Sequence, residues 1–321
     1  MKALRKTAPG AGNMELQEVS IPEIGSEDLL LKVSFCGLCG SDLHIEDDLH
    51  PYMPPVTIGH EFSGVVEAVG SDVDGFARGD LVAFRRGWSP YPGVGSDGGF
   101  AEFMRAPAAS MWKTPAGVTQ ESASQLETVI TPMRLVRDEA KVTPDDRVVV
   151  SGVGTIGLIT IALAKLEGAQ VVALGTESDT SLRFPLAEKM GADETLIFGD
   201  EALNRIHEWK AIRWIDASGA APAIEAAVAH VASHGTVVIA GMGPGPWNVD
   251  LRRLTMDNIV LRGVWGGNID YIPQAAALMA RGDLDLSPLF TTMSLTDWRE
   301  AFAALRKQEV VKVLLDPFAE G

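Results

Sequence analysis

Two groups of side chains in this sequence have types and spacing suited to chemistry. The first is Cys36-Gly37-Leu38-Cys39-Gly40-Ser41-Asp42-Leu43-His44, with Gly59-His60-Glu61 further along. A Cys-x-x-Cys pair has three readings. A structural zinc knuckle needs a second pair, and Cys36 and Cys39 are the only cysteines. A thioredoxin-like redox pair sits beside a β-α-β unit, whereas this one lies among short strands. The third reading takes Cys39 alone, with His60, as two ligands of a catalytic zinc that keeps an open position.

The second group is Gly152-Val153-Gly154-Thr155-Ile156-Gly157, directly after RVVVS and before the apolar run LITIALAKL. Alone, Gly-x-Gly-x-x-Gly is as often an ordinary turn. Between a strand and a helix it reads as a dinucleotide-binding loop. Gly152 permits the tight turn, Gly154 lets backbone approach a pyrophosphate, and Gly157 lets helix and strand pack closely. Thr155 and Ile156 open the helix whose N-terminus faces the phosphate charge. An acid at the end of the next strand would grip the ribose hydroxyls of NAD. That strand ends Ala173-Leu174-Gly175-Thr176-Glu177, with Gly175 in the acid's place. A missing carboxylate removes a repulsion against a 2′-phosphate, which Thr176 or Arg183 could hydrogen-bond. Glu177 could instead take the acid's role from a loop one residue longer. Both cofactors stay open, with the balance toward NADP.

The elements that must position these groups come in two textures. Residues 1–115 read as short strands broken by Gly and Pro, such as Leu29–Val33, Ser63–Val69 and Asp80–Phe84, the pattern of a compact β-barrel or sandwich. After residue 127 strands and helices alternate. The strands are Arg147–Ser151, Gln170–Leu174, Glu194–Phe198, Trp214–Ala217, Thr236–Ala240 and Ile259–Arg262, with Ala-rich helical stretches such as Thr160–Leu166 and Ala221–Val231 between some of them. Apolar strands alternating with helices predict a parallel doubly wound sheet. A helix around Thr296–Lys307 and a strand Val310–Leu314 close the chain, and the pattern does not say which domain owns them.

Composition removes other classes. Of 321 residues 46% are hydrophobic and 22% charged, as in a packed globular protein, and the formal charge is −16. Without a basic patch, nucleic acid and anionic membranes are not expected partners. No apolar run reaches the roughly 18 residues of a membrane helix, and MKALRKTAPG has no apolar stretch behind it to make a signal peptide. Two cysteines exclude a disulfide framework, so a reducing cytoplasm is the expected location.

CGLCGSDLH followed by GHEFSGVV, with Gly-x-Gly-x-x-Gly near residue 152, resembles the zinc-containing medium-chain dehydrogenase/reductase family over nearly the whole chain, nearest to its sorbitol or polyol and threonine dehydrogenase-like members. The resemblance implies one catalytic zinc held by Cys39, His60 and a third ligand just before the cofactor domain. Here Glu127 stands at that place, followed by Thr128 where such members usually have proline. Glu61 would sit behind the metal or join it as an alternative ligand, and Cys36 would be a buried thiol. Ser41 would accept a hydrogen bond from the substrate alcohol, and His44 would carry the proton onward. Asp42 would hold the His60 ring. Thr131 would pack on the nicotinamide, while Asp216 through Gly219 (Ser218 among them), Gly241, Val264 and Trp265 would line ribose and carboxamide. The stretch FRRGWSPYPGVGSDG lacks the four cysteines that hold a structural zinc in many relatives, so that second zinc is not expected and the lobe is short. Trp88 and Tyr91 in it read either as a wall of the substrate cleft or as exposed loop aromatics.

The reading is a two-domain α/β protein. A GroES-like β-barrel catalytic domain spans 1–128 and 265–321, a Rossmann domain spans 129–264, and the site lies in the cleft between them. The expected function is reversible hydride transfer between a secondary alcohol or polyol and NADP or NAD, in a homodimer or homotetramer acting on a small molecule. The alternatives are a zinc-free quinone or enone reductase, which lacks the metal pair, and a non-catalytic nucleotide-binding structural protein. A redox switch through Cys36 and Cys39 is a further one.

Overall fold

The computed structural model describes residues 1–243 and 245–320. It contains strands β1 (Lys2–Lys6), β2 (Met14–Glu18), β3 (Asp28–Gly37), β4 (Val56–Thr57), β5 (Glu61–Val69), β6 (Leu81–Phe84), β7 (Phe103–Pro107), β8 (Met111–Lys113), β9 (Arg147–Ser151), β10 (Gln170–Gly175), β11 (Glu194–Ile197), β12 (Arg213–Asp216), β13 (Thr236–Ile239), β14 (Val260–Gly263), β15 (Phe290–Ser294) and β16 (Lys312–Asp316). The chain divides into two compact units, Met1–Glu127 with Ile272–Gly321, and Thr128–Tyr271.

The first unit is β-rich. β2, β1 and β4 form a small sheet, and a larger mixed sheet runs β15-β16-β3-β5-β6-β8, with β7 also paired to β3. Along β3 the alternation of strand side chains turns Leu29, Leu31 and Val33 inward. There they meet Phe62, Phe84, Phe100 and, from the C-terminal tail, Trp298, Phe302, Val313 and Leu315. The tail thus belongs to this unit. β16 runs antiparallel to β3, setting Leu315 opposite Cys36 and Leu314 opposite Gly37. Its preceding helix, Trp298–Arg306, begins after a turn in which Ser294 accepts from the Thr296 backbone.

The second unit is a parallel six-stranded sheet in the order β11-β10-β9-β12-β13-β14. β9 and β13 are apolar because helices cover the sheet, and Val148, Val149, Val150, Val237 and Val238 are fully buried. The strand order reverses beside β9, which is where a doubly wound sheet opens a crevice at its carboxyl ends. The predicted strands all form, most with ends shifted by a residue at most, an ordinary uncertainty at frayed ends. However, β5 starts two residues earlier than predicted, β16 is shifted by two, and β3 runs four residues past Val33 to Gly37. Among the described residues no helix is long and apolar enough to cross a membrane.

Candidate functional site

In the first unit, β3 ends at Cys36-Gly37 and helix α1 (Gly40–Glu46) starts almost at once, with Cys39 at its N-cap. The three-residue step from Cys39 to Asp42 is a capping geometry. Asp42 Oδ2 accepts from the Cys39 backbone N–H at 2.8 Å, closing one of the helix's orphan donors. The same carboxylate, wholly buried, sets Oδ1 3.6 Å from His60 Nδ1. His60 Nε2 lies 3.4 Å from Ser41 Oγ. His44 is one helical turn beyond Ser41 on α1, so the two share a face.

Two glycines allow this crowding. Gly59 turns the chain into His60 with φ +95°, and a Cβ there would lie 2.7 Å from Phe100 and 2.8 Å from Cys36 Sγ. A Cβ on Gly37 would collide with Glu61 Oε2 and Gln125 Nε2. Glu61, opposite Gly37 on β5, is 2% exposed and its Oε2 accepts from Lys312 Nζ at 2.7 Å. Lys312, itself 3% exposed, also donates to the Leu38 carbonyl at 3.1 Å.

Cys39 Sγ, a His60 nitrogen and a Glu61 oxygen all lie within 4.8 Å of one another. Tetrahedral zinc, with bonds of about 2.0 to 2.3 Å, separates its ligand atoms by roughly 3.5 Å. A small contraction therefore brings thiolate, imidazole and carboxylate onto one ion, and the donor set suits zinc. His60 Nδ1 and Asp42 Oδ1 are buried atoms just beyond hydrogen-bond reach of each other, which the same contraction would satisfy. Burial opposes the charged His60 ring, yet Asp42 and then Cys39 outweigh it and hold its pKa at about 10. Burial likewise pushes the Cys36 thiol well up, leaving it an inert core residue.

Glu127 stands apart from the trio. It follows the short helix α2 (Gln120–Ser124) and lies in the first turn of the helix Leu126–Arg134 (α3). Its Oε1 accepts from Arg86 Nε at 2.6 Å and from Tyr91 Oη at 2.9 Å. The Tyr91 ring is 5.8 Å from the His60 ring, so one tyrosine links the Glu127 pair to the Cys39, His60 and Glu61 group. Tyr91 is thus a packed residue, half-buried against Phe84 at 5.7 Å.

In the second unit, Gly152 has φ +89°, and a Cβ on it would press on the Ser218 backbone at 2.7 Å. A Cβ on Gly157 would collide with the Gly152 carbonyl. Gly154 differs, because a Cβ there would meet nothing within 4 Å. Protein packing does not require that glycine, whereas a ligand lying on the backbone would. Gly154 also caps helix α4 (Thr155–Leu166) without a side-chain hydrogen bond. The first N–H groups of that helix, from Thr155, Ile156 and Gly157, form the kind of turn that can receive an anion.

Ser218 Oγ donates to the buried Asp216 at 2.6 Å, Ser151 Oγ donates to the same oxygen at 2.7 Å, and Gly219 N–H donates to Asp216 Oδ2 at 2.9 Å. A Cβ on Gly241 would collide with the Gly219 N–H, so this turn and that strand end are fitted to each other. Val264 continues the edge strand by donating to Ile239, Trp265 beyond it is 69% exposed, and Thr131 lies in α3. Past Gly175, Asp179 Oδ2 accepts from Thr176 N–H at 2.8 Å and Thr176 Oγ1 at 2.9 Å. Asp179 Oδ1 accepts from Arg183 at 3.3 Å.

Sequence reasoning missed Lys312 and Arg86. Lys312 had a signal, a lone charge inside the apolar run Val310–Leu315. Arg86, in a loop beside another arginine, had none.

A family model described as an alcohol dehydrogenase GroES-like domain matches residues 25–116, and one described as a zinc-binding dehydrogenase matches 155–281. The chain is 31% identical to an L-threonine 3-dehydrogenase of Pyrococcus horikoshii, with 98% of each chain covered. It is 29% identical to a sorbitol dehydrogenase of Halalkalibacterium halodurans, with 99% of each covered. Among solved structures, 2R,3R-butanediol dehydrogenase from Bacillus subtilis superposes with a TM-score of 0.89 at 26% identity, covering 98% of this chain and 99% of that one. With a GroES-like half, a Rossmann-like half and these relatives along its whole length, the chain belongs to the zinc-dependent, nicotinamide-linked alcohol dehydrogenases of the medium-chain dehydrogenase/reductase family.

Proposed function

We propose that this dehydrogenase oxidises a secondary alcohol flanked by a second polar group, a polyol or a related compound, with the metal held by Cys39, His60 and Glu61. The approach of these three ligand atoms to within 4.8 Å of one another is the observation that carries this reading. The relatives named for threonine, sorbitol and butanediol share that substrate feature. Zinc bound there supplies Lewis acidity to a substrate oxygen.

The chain's own residues handle the proton. Asp42 beside Nδ1 keeps the proton on that nitrogen and turns Nε2 toward the metal side. Ser41, next to Nε2, would accept a hydrogen bond from the alcohol and release its own hydroxyl proton in turn. His44, one turn on, would receive it through the cofactor ribose hydroxyls and pass it to water. The loop Gly152–Gly157 holds the pyrophosphate of the cofactor on the α4 N-terminus, with Thr131, Ser218, Gly241, Val264 and Trp265 along its nicotinamide half.

The cofactor proposed is NADP. Gly175 offers no carboxylate, and the charge of Asp179 is spent on Thr176 and Arg183. The exposed Ser178 hydroxyl stands at that end of β10, beside a Thr176 hydroxyl that donates to Asp179. A homo-oligomer is proposed because β14 pairs only with β13 among the described residues and carries exposed Val260, with exposed Trp265 two residues past its end, an open edge suited to a second copy.

Zinc per chain, measured by mass spectrometry on freshly purified protein and on Cys39→Ala, tests the metal reading. One zinc per chain, lost in the variant, with secondary alcohols turned over faster with NADP+ than NAD+, supports it. A zinc-free wild type that turns over equally well overturns it.

A further inference from the structure

Glu127 occupies the place from which a third metal ligand was expected, yet its carboxylate is already held. Both Arg86 Nε, at 2.6 Å, and Tyr91 Oη, at 2.9 Å, address the same oxygen, Oε1. Arg86 also donates to Tyr91 Oη at 3.4 Å, and its guanidinium carbon is 5.7 Å from the Tyr91 ring centroid. Tyr91 is in turn fixed between Phe84, 5.7 Å away, and His60, 5.8 Å away. The clamp is therefore anchored on the same histidine that binds the metal. Among the described residues, the group able to hold an ion is Cys39, His60 and Glu61, without Glu127.

We propose that Arg86, acting with Tyr91, is a positioning residue that keeps Glu127 off the metal, so that the fourth position stays open for a substrate oxygen. This rests on the metal reading above. A carboxylate oxygen shared by a guanidinium and a phenol has to give up a charge-assisted hydrogen bond before it can ligate. Three protein ligands with one open position are what a catalytic zinc requires, and a fourth protein ligand would close it. Arg86 sits in the short loop where the sequence has no structural-zinc cysteines, with φ +75°, and its side chain reaches Glu127 from there.

The test combines zinc affinity, by competition with a chromogenic chelator, with visible absorption of the cobalt(II)-substituted protein. Glu127→Gln alone should leave zinc affinity within about twofold and the cobalt bands unchanged. Arg86→Met frees the carboxylate, so zinc should bind about tenfold tighter, a typical size for a ligand-supporting change. The cobalt bands should weaken and shift as ligand number rises. Adding Glu127→Gln to Arg86→Met should reverse both effects, and Arg86→Lys, which keeps the cation, should behave as wild type. The proposal falls if Glu127→Gln alone costs tenfold in affinity and changes the bands, or if Arg86→Met moves neither readout. Should Arg86→Met not fold, the result for Glu127→Gln alone still decides. Loss of Cys39-dependent zinc binding in the wild type would sink the metal reading itself, an outcome distinct from either of these.

Discussion

Replacing Lys312 by methionine tests the proposed metal centre through stability. Lys312 and Glu61 form a 2.7 Å ion pair with side chains 3% and 2% exposed. Removing one partner of such a pair leaves an uncompensated buried charge and costs about 3 to 5 kcal/mol. In a unit of this size that corresponds to a fall in Tm of about 10 °C. This should be the penalty in protein stripped of metal. With zinc on Cys39, His60 and Glu61, the ion itself neutralises the Glu61 carboxylate, so the same substitution should cost less than about half as much. Adding Glu61→Gln to Lys312→Met removes the orphan charge and should recover most of the loss in stripped protein. Differential scanning calorimetry of the wild type and both variants, with chelator and with zinc, gives the four comparisons. An equal penalty with and without zinc would refute Glu61 as a residue facing the metal. A penalty below about 1 kcal/mol in both would refute the buried pair itself.

Two further outcomes follow from other parts of the chain. Arg306 holds Asp47 through two 2.7 Å hydrogen bonds and Glu46 through one of 2.8 Å, tying the C-terminal helix to α1. The Arg306 hydrogen bonds pull the Asp47 carboxyl below its usual range, so its contribution is complete above the unfolded value near pH 3.9 and disappears as pH falls through the folded one. With the pair partly exposed, Arg306→Met should cost about 1 kcal/mol at neutral pH. The Tm difference from wild type should shrink on acidification from about pH 5 to about pH 2, and a constant difference over that range would contradict the assignment. Gly175→Asp restores the acid expected for NAD, but a Cβ there would lie 2.6 Å from the Phe184 ring and 2.9 Å from Asp179 Oδ2. The variant should therefore lose about 2 kcal/mol of stability and bind both cofactors more weakly, as titration by protein fluorescence would show. A simple switch from NADP to NAD with unchanged stability would argue against that crowding.

What the sequence determined by itself was local. Cys39 and Asp42 are three apart because one helical turn joins a cap to its partner, and Gly152, Gly154 and Gly157 are spaced by the turn from β9 into α4. Such constraints act over a few residues and leave a readable pattern, as does the burial that made β9, β10 and β13 apolar runs. The two-domain α/β architecture follows from those patterns and from the change of texture after residue 127. Only the tertiary structure decided which charges meet. Lys312 reaches Glu61 across 251 residues, and Arg306 reaches Asp47 across 259. Arg86 and Tyr91 converge on Glu127 from a loop with no periodicity of its own. A helix-start glutamate is the same residue in sequence whether it ligates a metal or is clamped by an arginine. The difference lies in the partner the fold delivers to it, and a contact between distant segments has no spacing from which it could be read.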